Sequence, residues 1–304
     1  MNNLVSNLAI IAPIFFLIFV GISLRKSGGM TAEGNATLKK IVVDIMLPCL
    51  LIKTFMSAEY TISVLLIVVL IYCLFTAMIF AFGKIVPSHP MLKFIVTSFE
   101  VGMMGLVMFP LIFPASTAVE ISRIGILDIG QSLFIFTVYC ILADTQTKQT
   151  PKAVLVKIVT TRTVIALVIG VIFGIIGFAD LCPNANTVLQ AVCDMATAPI
   201  GAIVLISVGF ELKFTKSTMK KALCYACIRF VVMALAGIFV YYVIGLFAVR
   251  EEYAMQILVL FTLPPTFLMP MLQKNEEDRE LCATTLSISI LIFLACAISY
   301  IAFL

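Results

Sequence analysis

The segment SFEVGMMGLVMFP (residues 98–110) decides the fold, because it places an acid, two glycines and a proline inside a long apolar run. Glu100 is followed by Gly102, Gly105 and Pro110, and glycine and proline are residue types that weaken or interrupt a helix. In hydrocarbon an interrupted helix persists only where it lines a cavity or packs against protein. The segment therefore predicts a broken membrane helix inside a larger bundle.

The rest of the chain has the composition of a membrane protein. Of its 304 residues, 62% are hydrophobic and 12% are charged, and the mean hydropathy is +1.17. Soluble domains carry about twice that share of charge. Apolar runs of about 20 residues, enough to cross a bilayer as a helix, recur from end to end. We predict an all-α polytopic membrane protein with ten transmembrane helices, near 4–24, 37–57, 61–83, 93–113, 123–143, 160–179, 186–210, 223–247, 254–273 and 281–303.

Lysine and arginine are distributed unequally between the two sets of loops. Of the 20 basic residues, sixteen fall in one set and three, Lys53, Arg123 and Arg250, fall in the other. The remaining one, Arg229, lies a short way into the eighth helix and is expected to snorkel to the cytoplasmic surface. Because basic residues favour cytoplasmic loops, the odd-numbered loops are predicted to be cytoplasmic and both termini extracytoplasmic.

An odd number of helices in each half predicts an inverted repeat. The halves are residues 1–145 and 160–304, joined by a cytoplasmic linker over 146–159. Landmarks recur at matching positions, since Pro48 lies in the second helix and Pro199 in the seventh. We therefore expect two inverted five-helix repeats with broken, crossing fourth and ninth helices.

The ninth helix is predicted to be broken like the fourth, because it carries Pro264, Pro265 and Pro270. Paired broken helices in an inverted repeat point to a transporter binding site. Helix ends at such breaks present N–H groups and partial positive charge, which suits an anion. No lysine or arginine is expected in the middle of a span, so the backbone would bind the anion. The predicted substrate-site residues are Glu100, Gly102, Met103, Met104, Gly105, Pro264, Pro265 and Thr266.

Acidic residues within the spans are candidates for proton or ion coupling, because a charge at that depth is costly. Glu100 is the deepest, and it either carries a proton or holds the broken helix together. Asp44 in the second helix and Asp128 in the fifth are further coupling candidates, each with a structural role as the alternative. Asp194, in the seventh helix, is expected to cap a helix, with a role in the site as the alternative.

Three segments resemble the auxin efflux carrier family, which includes bacterial carriers and plant PIN proteins. They are FVGISLRKSGGMTAEGNATLKKIVVDIMLPCLLIKTF (19–55), APIGAIVLISVGFEL (198–212) and FTLPPTFLMPMLQKNEEDRELCATTLSISILIF (261–293). The resemblance covers essentially the whole chain. It implies the ten-helix inverted repeat, a transport domain around the crossing helices, and transport of small organic anions such as auxin, malate or malonate. It also suggests a homodimer, and the short loops favour the compact prokaryotic type.

One position departs from the family pattern. Many members have an asparagine before the two glycines of the fourth span, where this chain has Glu100. A carboxylate beside an anion site repels the substrate unless it is protonated or neutralised by a cation. We therefore expect Glu100 to couple a proton to transport, with a cationic or neutral substrate as the alternative.

Together these features predict a secondary active transporter of a small organic anion in the plasma membrane, coupled to protons and working by alternating access. The alternative is a sodium-coupled carrier of the bile-acid symporter type, in which carbonyl oxygens of the breaks, with Glu100 or Asp128, coordinate Na⁺. An enzyme is not expected, because the spans hold no zinc-protease motif and His89 is the only histidine. No cofactor, metal site or nucleic-acid partner is expected. A receptor or a structural protein is a third class, but the short loops leave no signalling domain.

Overall fold

The computed structural model describes residues 2–56, 60–143, 162–267, 269–270, 273 and 275–303. Within these ranges the chain is helical, and no strand occurs among them. The predicted linker over 146–159 lies outside the described residues. The structure therefore bears on the helices of both halves and on most of the turns between them.

The helices of the described ranges are numbered here in chain order. They are α1 (Asn2–Ser27), α2 (Ala32–Ile41), α3 (Leu47–Met56), α4 (Ile62–Ile85), α5 (Leu92–Ile95), α6 (Leu106–Ile112), α7 (Ala118–Phe134), α8 (Cys140–Ala143), α9 (Arg162–Ile175), α10 (Phe178–Leu181), α11 (Pro183–Thr197), α12 (Ile200–Glu211), α13 (Met219–Ile244), α14 (Ala254–Leu260) and α15 (Glu276–Phe303). Single π-helical turns cover Val42–Met46, Val101–Gly105 and Ile135–Tyr139, and a 3₁₀ turn covers Arg250–Tyr253.

Several of these helices have the length and apolarity of membrane spans. Five stretches of the described chain meet both requirements, namely Ile62–Ile85, Val119–Ala143, Pro183–Glu211, Met219–Ile244 and Glu276–Ala302. The second, fourth and ninth predicted spans are each divided into shorter segments. The fold is thus all-helical and suited to crossing a membrane several times.

Two helix pairs pack at very short range through glycine. α1 packs along α12, where a Cβ on Gly21 or on Gly209 would collide with backbone atoms of the partner helix. α9 packs along α3, where a Cβ on Gly170 would lie 2.9 Å from the Cβ of Phe55 and one on Gly174 would lie 2.7 Å from the Phe55 carbonyl oxygen. Small residues that let helix backbones approach are a principal source of helix association in lipid.

An aromatic core packs behind the broken helices. The ring of Phe75, on α4, lies 5.3 Å from Phe99, 5.7 Å from Phe134 and 6.2 Å from Phe261, measured between centroids. Phe99 and Phe261 are themselves 5.5 Å apart, within the range in which aromatic rings attract each other. Phe99 belongs to the fourth predicted span and Phe261 to the ninth, so this core holds the two broken spans together.

The break in the fourth predicted span lies earlier than the sequence indicates. α5 ends at Ile95 and residues 96–100 are not helical, whereas Gly102 and Gly105 lie within the following π-helical turn and Pro110 lies inside α6. The sequence marks residues that weaken a helix, but the break falls where the freed backbone groups meet partners. In the ninth span the helix ends at Leu260 and the break includes both prolines, as predicted.

Candidate functional site

The two breaks lie against each other, and a backbone amide of each one donates a hydrogen bond to the other. The amide of Glu100 donates to the carbonyl oxygen of Pro264 at 3.0 Å, and the amide of Thr266 donates to the hydroxyl of Ser98 at 3.3 Å. Backbone groups without partners cost several kcal/mol each in hydrocarbon. Each break therefore supplies partners that the other one lacks. We call this contact of residues 98–100 with 263–267 the crossing.

The side chain of Glu100 occupies donors of the second break that lie just after its two prolines. Its Oε2 accepts a hydrogen bond from the Phe267 amide at 2.9 Å and one from the Thr266 hydroxyl at 3.2 Å. Glu100 is half-buried, whereas Thr266 and Phe267 are buried. Hydrogen bonds to a charged acceptor are roughly twice as strong as neutral ones. A carboxylate is thus bound at the crossing, and it belongs to the chain itself.

A second acid lies close to this carboxylate. Asp128, on α7, is near enough to Glu100 for the two acids to interact electrostatically. Two acidic side chains in a low dielectric influence each other strongly. A proton that binds to one of them therefore changes the field at the other.

Gln131, one turn after Asp128 on α7, holds the first break from behind. Its Nε2 donates to the Phe99 carbonyl oxygen at 2.7 Å, and its Oε1 accepts from the Phe99 amide at 3.3 Å. Both residues are buried, with Gln131 3% and Phe99 1% exposed. The amide side chain thus replaces the two backbone bonds that residue 99 gives up by leaving the helix.

Arg229 reaches the crossing from α13, so the prediction that it snorkels to the cytoplasmic surface is wrong. Its Nη2 donates to the carbonyl oxygens of Ser98 at 2.6 Å and of Leu263 at 2.8 Å, and the residue is 3% exposed. It lies ten residues after the start of α13, about 15 Å at 1.5 Å per residue. The side chain is too short to span that distance, and the carbonyls freed by the breaks solvate its charge instead. The expectation that no basic residue lies deep in a span is wrong for the same reason.

A cavity of about 290 Å³ opens elsewhere, between the ends of α4 and α7 and the turn before α14. Its lining includes Ser63, Ser122, Arg123 and Glu252, and the last two form an ion pair. Its volume lies at the lower edge of the range of small-molecule sites. By the distribution of basic residues it lies on the predicted outer side.

A family model described as membrane transport protein matches residues 8–301, nearly the whole chain. The chain belongs to the auxin efflux carrier family. The resemblance found in the sequence is therefore confirmed, and this carrier is a membrane transporter rather than a member of an enzyme family. No curated protein matches the chain closely enough to indicate a relationship.

The remaining predicted substrate-site residues of the carrier lie in the fourth and ninth spans beside the crossing. A Cβ on Gly105 would lie 2.9 Å from Leu263 Cδ1, whereas one on Gly102 would make ordinary contacts. Met104 is buried, and the side chain of Met103 lies outside the described part of the chain. Gly105 therefore lies directly against the ninth span, and the absence of a side chain there leaves room for Leu263.

Two of the predicted acids of the carrier lie elsewhere and are paired. Oδ2 of Asp44 is 2.8 Å from Nη1 of Arg162, which joins the second predicted span to the start of α9. Asp194 forms an ion pair with Lys53 from the last turn of α11 and is neither the N-cap nor the C-cap of that helix, so this expectation is wrong. Only Glu100 and Asp128, of the acids considered, interact with each other.

Three residues that form or support the crossing were not among the predicted site residues of the carrier, namely Ser98, Gln131 and Arg229. A weak signal existed for two of them. Gln131 is a polar residue one turn from Asp128 on the same face of an apolar helix, and Arg229 is the one basic residue that belongs to neither set of loops. Nothing in the sequence distinguishes Ser98, because serine is common in membrane helices.

Proposed function

We propose that this membrane transporter is a secondary active carrier of a small organic anion, a mono- or dicarboxylate of malate-like or auxin-like size. It moves the anion across the plasma membrane by alternating access and couples the movement to protons. Both termini face outward, and the distribution of lysine and arginine supports this orientation. The family resemblance supports a homodimer. The substrate site is the crossing with the predicted residues beside it.

The packing of the helices supports two inverted five-helix repeats, over 1–145 and 160–304. In such a repeat the first span corresponds to the sixth and the second to the seventh. The glycine-mediated pair α1 with α12 then corresponds to the glycine-mediated pair α9 with α3. The pair α4 with α7 corresponds in the same way to the pair α13 with α15. These matched pairings favour ten spans over the five that length and apolarity select.

The proposal that an anion is transported together with a proton rests on the carboxylate of Glu100. The Phe267 amide and the Thr266 hydroxyl bind a carboxylate, and a substrate carboxylate needs the same kind of donors. While Glu100 is charged, it holds these donors and repels an anion. When Glu100 binds a proton, its hold weakens and the substrate can take its place. The proton and the anion therefore bind together, and an acidic outside drives uptake.

Asp128 has the second role in this mechanism. Because the two acids interact, a negative charge on either one favours a bound proton on the other. Asp44 remains a coupling candidate only if its ion pair with Arg162 opens during the cycle. We therefore assign the coupling proton to the pair of Glu100 and Asp128.

Uptake into proteoliposomes tests the proposal. The purified carrier is reconstituted, and uptake of labelled mono- and dicarboxylates is measured with and without an inward proton gradient. Glu100→Gln is expected to remove the dependence on the gradient and to retain carboxylate exchange in part. Glu120→Gln is the matched control, since Oε2 of Glu120 also accepts from one amide and one threonine hydroxyl, both of Thr117, at a helix start away from the crossing.

Three results would contradict the proposal. If the Glu100→Gln carrier still responds fully to the proton gradient, Glu100 does not carry the coupled proton. Uptake of amines in place of carboxylates would recast Glu100 as the ligand of a cationic solute. Carboxylate uptake that requires sodium would favour the second candidate, a carrier of the bile-acid symporter type. The observation that favours this second candidate is the convergence of the Ser98 and Leu263 carbonyls at the crossing.

A further inference from the structure

The two carbonyls that converge at the crossing are already bound to a positive charge. One nitrogen of Arg229 donates to Ser98, in the first break, and to Leu263, in the second. Arg229 is the only basic side chain of the described residues that hydrogen-bonds to both breaks. A buried charge is tolerated only when polar partners surround it. The guanidinium and the two carbonyls therefore depend on each other.

A monovalent metal ion at this place would use the same atoms. Sodium is a hard cation that takes oxygen ligands, and carbonyls at the ends of broken helices commonly supply them in transporters. At this crossing the carbonyls are occupied by a nitrogen, and the charge beside them repels a second cation. Arginine keeps its proton under all ordinary conditions, so this charge does not leave during a transport cycle.

We propose that Arg229 is a built-in cation that takes the place of a coupling sodium ion, and that the carrier works without sodium for this reason. The inference deepens the proposed function, because it takes the crossing as the transport site. It assigns Arg229 a positioning role, in which it joins the two breaks and touches no substrate. Coupling then falls to protons at Glu100 and Asp128, the acids of the same region.

The wild-type carrier gives the first test. Its thermal unfolding and its carboxylate uptake are measured in sodium, potassium and choline chloride at equal ionic strength. The three salts are expected to give the same melting temperature and the same uptake rate. A higher melting temperature or a faster uptake in sodium alone would overturn the proposal, whatever the variants do.

Removal of the guanidinium gives the second test. Arg229→Ala is expected to lower uptake by about tenfold or more, the effect of losing one or two charge-assisted hydrogen bonds. The site should then accept a cation from solution, so that sodium or free guanidinium at millimolar concentration raises both the melting temperature and the uptake. Urea, which has a similar shape but no charge, should have no such effect. A folded variant that responds to neither cation would overturn the proposal.

Arg25→Ala is the matched control, since Arg25 also donates from one nitrogen to two backbone carbonyls, those of Phe210 and Leu212, but at the α1–α12 contact. It should lose stability without gaining a response to cations. If Arg229→Ala does not fold, Arg229→Lys replaces it. The lysine carrier should keep sodium-independent uptake, and a sodium requirement in it would overturn the proposal.

These outcomes separate the inference from the proposed function. Carboxylate uptake that needs sodium would overturn the role of Arg229 and the proton coupling, and it would leave anion transport itself intact. Equal melting temperatures in all three salts, rescue of Arg229→Ala by guanidinium and no response to any carboxylate would support the role of Arg229 and overturn anion transport.

Discussion

Replacement of Gln131 by alanine removes both hydrogen bonds that hold the Phe99 backbone in the first break. Because Phe99 is 1% exposed, its amide and carbonyl would be left without partners away from water. Each buried group that loses its partner costs about 1–3 kcal/mol. Two such groups give an expected loss of about 2–6 kcal/mol in the free energy of unfolding. The crossing should loosen as well, so uptake should fall together with stability.

Gln256 provides a control of the same residue type and burial. It is 1% exposed, and its Nε2 donates to a single acceptor, the Glu120 carbonyl, at 3.1 Å. That carbonyl lies in the first turn of a helix, so Gln256→Ala should cost only about 1 kcal/mol. Reversible unfolding in mixed detergent micelles measures both variants. If Gln131→Ala loses no more stability than Gln256→Ala, the argument that Gln131 completes the backbone of the break is wrong.

Two further predictions concern the helix contacts outside the crossing. Gly209→Ala should cost about 1–3 kcal/mol, because the new methyl group meets the backbone of α1. Gly201 lies in the same helix, and a Cβ there would have its nearest neighbour at 3.5 Å, so Gly201→Ala should gain up to about 1 kcal/mol of stability. Unfolding in mixed micelles compares the two variants. Equal losses of stability in both would refute the close contact at Gly209. Asp44→Asn should lower stability by about 1 kcal/mol at most, because its partner Arg162 is largely exposed. Uptake by this variant should keep its pH dependence. Loss of the pH dependence in proteoliposomes would assign the coupling proton to Asp44 instead.

The helical class and the importance of the fourth and ninth spans could be predicted because they depend on local features. Apolar runs give the spans, and Glu100, Pro264 and Pro265 mark the residues that meet at the crossing. These features act within a few residues of chain, so a single sequence contains them. The family model then confirmed the resemblance on which the transport prediction rests.

The partners of the breaks could not be predicted in the same way. The sequence alone places Arg229 at the surface, because snorkelling is the usual solution for a lone arginine in a span. The observed solution needs the carbonyls of Ser98 and Leu263, which are 131 and 34 positions away from Arg229 in the chain. No local sequence pattern indicates contacts over such separations. The break at 96–100 lies ahead of the glycines for the same reason, since its position depends on which groups of the ninth span are near.

The crossing also limits how the carrier can move. Glu100 bonds to Pro264, Ser98 to Thr266 and Arg229 to both breaks. A motion that separated the two breaks would break the Glu100–Pro264 and Ser98–Thr266 bonds and at least one bond of Arg229 at once. If the carrier works by the proposed alternating access, the breaks should therefore travel as one rigid piece whichever side of the membrane is open. A substrate should meet the same set of donors from inside and from outside, so its affinity on the two sides should differ only through pH and membrane voltage.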